Sequence, residues 1–368
     1  MVEIKACDAY QIYIECARMN EIMHRHRFSI TFLTLVLGAI FILPAGSGPI
    51  ERFSGFTMGT SYEVQVVDIP NSTDLNSLTF EVGNLLTKLD KEVFSTYAEE
   101  SELSRLNQQG VNVPFTASDH LLEVLRLSKE VATSSNGAFD VGVGSLVNLW
   151  GFGPGEIIRI EEVPDDEEIN TALEKVGIVN LLIDETNSEI TKTNNISIDL
   201  SGIAKGYAVD QVAFLLFEKG VENYFIEVGG EIKLSGSRGD GEDWVPAIET
   251  PQEGPIQIYE TLTSQGETFA LAGSGDYRNY FEIDGERYSH EIDPRTGRPV
   301  SHNLAAAFVI DESAAVADAY ATALMVLGPA QARALLAKTG INGYLIFRLD
   351  NSEFDHYASP GFIPYINN

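Results

Sequence analysis

The chain has almost no thiol and little positive charge. Its 368 residues include two cysteines, Cys7 and Cys16, both ahead of the first long apolar run. Everything after position 16 is therefore closed to disulfides, thiolate zinc sites and cysteine nucleophiles. Lys and Arg number 24 against 54 Asp and Glu, a formal net charge of −30. Nucleic acid is held chiefly by Lys and Arg on phosphate, so this composition argues against it as a partner. An anionic ligand would need a metal ion or backbone N–H groups to offset the same field. Solubility, for example in a salty medium, is the simpler use of so much acid. Disorder is unexpected, because 44% hydrophobic and 10% aromatic residues can build a core. The length suits one large domain or two closely packed ones.

Residues 28–43 form an apolar run preceded by His24-Arg25-His26-Arg27 and followed by Pro44-Ala45-Gly46-Ser47-Gly48. A basic flank, an apolar stretch and small residues, in that order, read as a secretory signal with a cleavage region. Its sixteen residues fall short of the ~20 that a span needs, although an uncleaved anchor is the other reading. No cysteine follows the run, so lipid attachment is not available there. Met23 directly precedes the basic cluster and reads as the true start. The expected division is thus a leader or anchor over residues 1–48 and a folded body over 49–368.

Within the body, alternation of Tyr62, Val64 and Val66 makes residues 53–67 a strand. Apolar spacing makes helices of 75–93 and 118–134, the second stopped by Asn136-Gly137. A short acidic helix is expected over 165–176 and short strands over 181–184, 189–192 and 197–200. Residues 137–154 are rich in glycine and aromatics, with Asp140 the one charge, and suit a packed turn or a pocket wall. Ser201-Gly202-Ile203-Ala204-Lys205-Gly206 leads into a helix ending at Lys219-Gly220. A strand, a glycine turn and a helix start can hold phosphate on backbone N–H groups, though this is neither a Walker loop nor a G-x-G-x-x-G turn. Residues 223–235 read as a strand pair turning at Gly229-Gly230, with further strands at 244–250, 256–259, 267–272 and 305–310. Helices over 313–327 and 329–338 precede a closing strand at 343–348, and the Tyr-rich tail is expected on the surface. Helices with many antiparallel-looking strands, without regular β–α alternation, make an α+β fold with mixed or antiparallel sheets.

The densest chemistry lies in residues 273–322. Asp284-Gly285 between Tyr280-Phe281 and Tyr288 is a hairpin signal, because a tight hairpin turn needs positive φ. Asp293-Pro294-Arg295-Thr296-Gly297-Arg298-Pro299 is loop chemistry throughout. Asp318 and Thr322 are four apart and share a helix face, a carboxylate and a hydroxyl suited to a hard cation such as Mg²⁺. Spacing alone also admits a helix-start acid and a buried threonine. His290 could be a general base or a histidine satisfied on a half-buried strand, and His302 is a lesser rival. His290-Glu291 is not a zinc-protease motif, since Pro294 stands where the second histidine belongs.

Taken in order, these motifs resemble the ApbE family of flavin transferases (FAD:protein FMN transferase). The resemblance spans about residues 53–348. It rests on Phe56-Thr57-Met58-Gly59-Thr60, Ser95-Thr96-Tyr97 with Ser101–Asn107 after it, Gly137-Ala138-Phe139-Asp140 leading to Leu149-Trp150-Gly151-Phe152-Gly153, and Ile198-Asp199-Leu200-Ser201-Gly202-Ile203-Ala204-Lys205-Gly206-Tyr207. It continues through Val228-Gly229-Gly230-Glu231, Ser274-Gly275-Asp276-Tyr277, Ser289-His290 with Ile292-Asp293-Pro294-Arg295-Thr296-Gly297, and Asp318 with Thr322. The resemblance implies an ApbE-type, T-fold-like architecture. It implies a Mg²⁺-dependent enzyme of the periplasm, or of the periplasmic face of the inner membrane. That enzyme would cleave FAD, transfer FMN to a threonine of a membrane flavoprotein subunit of the Nqr or Rnf type, and release AMP. Gly202 (through its carbonyl), Asp318 and Thr322 would hold the metal, with His290 as general base. Met58, Tyr97, Ala138, Phe139, Asp140, Lys205 and Ile292 would bind FAD. Ala321 departs from relatives that carry a second acid beside the metal threonine, which implies weaker Mg²⁺ binding or one more water. Hydrolysis of FAD to FMN and AMP at the same site, or FAD binding without catalysis, are the competing expectations.

Overall fold

The structure is a computed structural model that describes residues 48–154, 162–277, 279–351 and 353–367. The expected leader and anchor lie outside the described residues. Among those described, no helix is long and apolar enough to cross a membrane.

Eight strands form one sheet whose spatial order is the chain order: β1 (Glu51–Thr57), β2 (Thr60–Val67), β3 (Asn223–Val228), β4 (Glu231–Ser235), β5 (Phe269–Gly275), β6 (Leu304–Asp311), β7 (Asn342–Arg348) and β8 (Phe354–Ala358). Every neighbouring pair is antiparallel. The α+β expectation holds, with the other secondary structure among the described residues inserted between consecutive strands, apart from a short 3-10 turn at Ile363–Tyr365 after β8. The stretch expected as one strand over 53–67 is a hairpin instead. Met58 and Gly59 both have positive φ, 49° and 74°, which is the turn that matches strand twist.

Four helices position the site: α1 (Leu75–Thr87), α2 (Asp119–Ser134), α3 (Ala204–Glu218) and α4 (Ala314–Thr339). Alternation along the strands splits the core. Tyr224, Ile226 and Val228 pack with helical residues such as Leu86, Val212 and Ala315, whereas Phe225 meets Trp244 and Leu262 on the opposite side. The helix expected over 75–93 ends at Thr87 and continues as a wider, π-type turn over Lys88–Phe94. Residues 197–200 keep only a single bridge, Ser197 to Val143, and form no strand. The C-terminal tail is not a surface appendage: β8 extends the sheet and Phe362 is fully buried.

The break expected between two helices near Pro329 is present. Gly328 has φ 70° and ψ 177° inside α4, a conformation that only glycine adopts readily. Pro329 has no N–H to offer the Met325 carbonyl, which an unbroken α-helix would pair with it. The His302 imidazole takes that place, its Nε2–H donating to Met325 O at 2.7 Å.

Candidate active site

A cavity of about 500 Å³ opens where the start of α3, the β3–β4 turn, the end of β5 and the middle of α4 converge. That size is in the range of pockets for cofactor-sized ligands.

The junction of α3 and α4 is set by a carboxylate and a glycine. Asp210 on α3 accepts from the N–H groups of Ala314 and Ala315, both at 3.0 Å, and from the Ser313 hydroxyl at 2.7 Å, while Lys233 pairs with it at 2.7 Å. It thereby satisfies orphan donors at the start of α4. A Cβ on Gly206 would lie 2.2 Å from the Ala314 carbonyl oxygen, so only glycine lets the helices approach this closely. The approach allows Gly206 N–H to donate to Asp318 Oδ2 at 3.1 Å. It also brings Gly202 against Thr322: a Cβ there would sit 2.9 Å from Thr322 Oγ1. Gly202, Asp318 and Thr322 all line the cavity. A carbonyl, a carboxylate and a hydroxyl make a hard-oxygen donor set that suits Mg²⁺ and leaves positions for phosphate oxygens or water. Among the described residues no group of three or more His, Cys, Asp or Glu side chains is placed to hold a metal, so a cation here would depend on the carbonyl, the hydroxyl and its ligand. Ala321 is fully buried among Ala317, Leu324 and Leu335, within the helix–sheet core.

Lys205, on the first turn of α3, pairs with Glu231 at 3.2 Å. Burial alone would pull its ammonium down, but Glu231, Asp318 and Glu291 outweigh burial and hold it above its ordinary range. Burial pushes Glu231 up to about 8, with Lys205 opposing the shift and Asp318 adding to it. Asp318 is likewise raised by burial, against the pull of Lys205 and the Gly206 N–H. Glu231 Oε2 is buried without a hydrogen-bond partner among the described residues. Lys205 therefore faces three of the acids that line the cavity, Glu231, Asp318 and Glu291. Glu231 and Glu291 had no assigned part in the sequence reading; the signal for Glu231 was an acid on a Gly-Gly turn at the head of an apolar strand.

His290 follows the hairpin of Tyr280–Ile283 and Glu286–Ser289, whose turn places Asp284 and Gly285 at positive φ as expected. Its Nδ1 lies 3.0 Å from the Asn279 carbonyl oxygen. A carbonyl can only accept, so Nδ1 carries the proton and Nε2 is the free base. An aromatic ladder backs the ring. Trp150 stacks on Tyr288 at 5.8 Å, Tyr288 on Phe281 at 5.3 Å, and Phe152 meets the His290 ring edge-on at 6.2 Å. Trp150 Nε1–H donates to Gly297 O at 2.8 Å, tying the glycine-aromatic run to the Asp-Pro-Arg-Thr-Gly loop. That run is thus both pocket wall and packed turn. Ala138, Phe139 and Asp140 line the cavity, and Trp150 is buried behind them. Asp140 accepts from the Gly142 and Ile178 N–H groups at 2.7 and 2.8 Å, and burial raises its carboxyl.

The cavity unites nine of the eleven residues singled out in the sequence: Ala138, Phe139, Asp140, Gly202, Lys205, His290, Ile292, Asp318 and Thr322. Two stand apart. Met58 packs against the helical core and donates its N–H to Asp90 at 2.9 Å, and Tyr97 is 73% exposed. His302, the rival base, is consumed by the break in α4 and is no part of the lining.

The family model described as "ApbE family" matches residues 58–345. FAD:protein FMN transferase of Vibrio cholerae is 41% identical over 335 residues, covering 90% of this chain and 98% of its own length. The protein of the same name from Escherichia coli K12 is 32% identical, covering 92% and 98%. Among solved structures, flavin transferase ApbE from Vibrio cholerae superposes with a TM-score of 0.77 at 40% identity, over 86% of this chain and all of that one. The Pseudomonas stutzeri flavinyl transferase ApbE, in its apo form, gives 0.76 at 38%, over 86% of this chain and 96% of that one. With the fold, the cavity and these relatives in agreement, the chain belongs to the ApbE family.

Proposed function

We propose that the chain is an FAD:protein FMN transferase that uses Mg²⁺ and releases AMP. The observation that carries this reading is the convergence of Gly202, Asp318 and Thr322 with Lys205 and His290 in one cavity, inside a chain that aligns over nearly its whole length with enzymes of that name. Gly202, Asp318 and Thr322 would hold the metal, which supplies charge neutralisation across the pyrophosphate. Phe139 and Ile292, which line the cavity, would offer apolar faces to the rings of FAD, and Lys205 would add positive charge for its phosphates. His290 Nε2 takes the proton of the acceptor threonine hydroxyl, whose oxygen attacks the FMN phosphorus. The bond to the AMP phosphate oxygen breaks, and AMP leaves. The acceptor is a membrane flavoprotein subunit of the Nqr or Rnf type. The basic-then-apolar segment ending at Leu43 supports work outside the cytoplasm, in the periplasm or at the inner membrane.

The test is incubation with FAD, Mg²⁺ and an acceptor subunit, followed by a denaturing gel. A fluorescent flavin band on the acceptor, with AMP in solution, is expected. Free FMN without a labelled band would replace transfer by hydrolysis, and bound FAD without AMP would leave only binding. His290→Gly is expected to abolish labelling while FAD stays bound; undiminished labelling would remove His290 from the reaction.

A further inference from the structure

Beside the base lies a second acid. Glu291 is 4% exposed, and its Oε1 accepts a hydrogen bond from the Ser274 hydroxyl at the end of β5. The same Oε1 stands 3.8 Å from His290 Nε2. Consecutive residues on an extended strand point to opposite sides, so a histidine and the glutamate after it would not normally share a cavity. Here the strand has ended at Ser289, and the chain bends so that both residues line the same space. Ser289 helps fix the bend, its hydroxyl accepting the Glu291 N–H at 3.1 Å.

The imidazole is thus bracketed by two acceptors, the Asn279 carbonyl at Nδ1 and the Glu291 carboxylate near Nε2. A neutral ring can satisfy one of them, and only the imidazolium can satisfy both. At 3.8 Å the second contact is too long for a hydrogen bond in the resting state, yet an ion pair would form once Nε2 gains a proton. We infer that Glu291 is a positioning residue for the transfer step: it stabilises the imidazolium that His290 becomes, and Ser274 holds its carboxylate in place. This rests on the transferase reading above. The step balances without any further reactant. The acceptor oxygen gives its proton to Nε2 and forms the bond to phosphorus, the bond to the AMP oxygen breaks, and the imidazolium is held against the Glu291 anion until it returns the proton to solvent or product. The other charged groups around the pair are Lys205, which feels Glu291 across the cavity, the Asp276–Arg348 ion pair, and His302, which feels both Asp276 and Glu291. None of these has an atom placed to pair with Nε2 in the described contacts.

The experiment is the pH dependence of flavin transfer for Glu291→Gln and, separately, Ser274→Ala. Glutamine keeps the shape and can accept from Ser274, but cannot stabilise a neighbouring cation as an anion does. Expected for Glu291→Gln are a kcat lower by about 10–100-fold, a KM for FAD within about twofold of the parent, and an acidic limb of the kcat/KM profile displaced to lower pH, because the proton is held less tightly. Ser274→Ala should displace the limb in the same direction by less. An unmoved limb in both variants overturns the inference, as does a loss that appears only in the KM for FAD. If the parent protein labels its acceptor and His290→Gly does not, the transferase reading survives and an unmoved limb counts against Glu291 alone. If the parent itself fails to label, the reading fails before Glu291 is reached.

Discussion

The chemistry of the cavity turns on single donors that the fold leaves few alternatives for. Asp318 is 3% exposed and already accepts the Gly206 N–H, so asparagine should keep that hydrogen bond while removing the charge a cation needs. Asp318→Asn is therefore expected to fold normally, to lower transfer by about 100-fold or more at fixed Mg²⁺, and to raise the Mg²⁺ concentration for half-maximal rate. Thermal unfolding and a magnesium titration of the rate check the two halves, and an unchanged magnesium dependence would take Asp318 out of the metal site. Asp210 illustrates the opposite case, a charged residue whose work is structural. Removing it in Asp210→Ala frees two N–H groups and a hydroxyl at the start of α4 and leaves Lys233 without its partner. The expected loss is about 2–4 kcal/mol in urea unfolding, because partly buried donors and a cation lose their acceptor together. Activity should fall with it, since this junction sets Gly202 against Thr322.

Among the elements, α4 carries both Asp318 and Thr322, the proposed metal donors, and the break at Gly328, and His302 is what makes the break tolerable. Burial holds the His302 imidazole below its ordinary value of 6.5. The unfolded chain consequently binds a proton at this residue at higher pH than the folded chain does. Its contribution is intact above about pH 6.5 and declines as pH falls below that value. His302→Gln keeps a donor for the Met325 carbonyl and removes the titration, so its stability is expected to vary less with pH between about 6.5 and 5 than the parent's. Denaturant midpoints across that window check this; parallel curves for the two proteins would overturn it. The same helix shows what could be read in advance. Pro329 announced the break because a proline cannot continue the hydrogen-bond ladder, and Asp284-Gly285 announced its hairpin because few other pairs accept positive φ at both positions. Met58-Gly59 makes the same kind of turn, yet the alternation of Tyr62, Val64 and Val66 masked it, since apolar period alone does not reveal where a strand reverses. The π-type turn at Lys88–Phe94 was hidden for a related reason: Leu89 and Val93 keep a four-residue spacing that a regular helix would also give. Glu231 left only its place on a Gly-Gly turn as a signal, and Glu291 left none, because which acids share a cavity depends on contacts among β4, β5 and the loop after Ser289 that lie far apart in the chain.

At the level of the whole molecule, a sheet that runs in chain order gathers its site from insertions rather than from the strands' own sequence neighbourhood. The long excursion between β2 and β3 brings the glycine-aromatic run and the start of α3, and the one between β5 and β6 brings His290 and the Asp-Pro-Arg-Thr-Gly loop. Such a body must hold together against its own charge of −30, and the ion pairs it makes on the surface do little to offset it. Arg126 with Glu123 and Glu130, and Arg238 with Asp240, are local and exposed. The long-range term is therefore repulsion among carboxylates, which salt screens over a length that shrinks from ~30 Å at 0.01 M to ~3 Å at 1 M. Raising NaCl from about 0.01 M to about 0.5 M is expected to raise the melting temperature by several degrees, with most of the gain below about 0.15 M where the screening length changes fastest. A melting temperature that falls over that range would mean that attractive pairs, not repulsion, dominate the electrostatics of the folded state. Magnesium should give a further rise at concentrations too low to screen appreciably, because a cation bound by Asp318 and Thr322 favours the folded chain by mass action. That extra rise should vanish in Asp318→Asn, which separates the specific site from the general field.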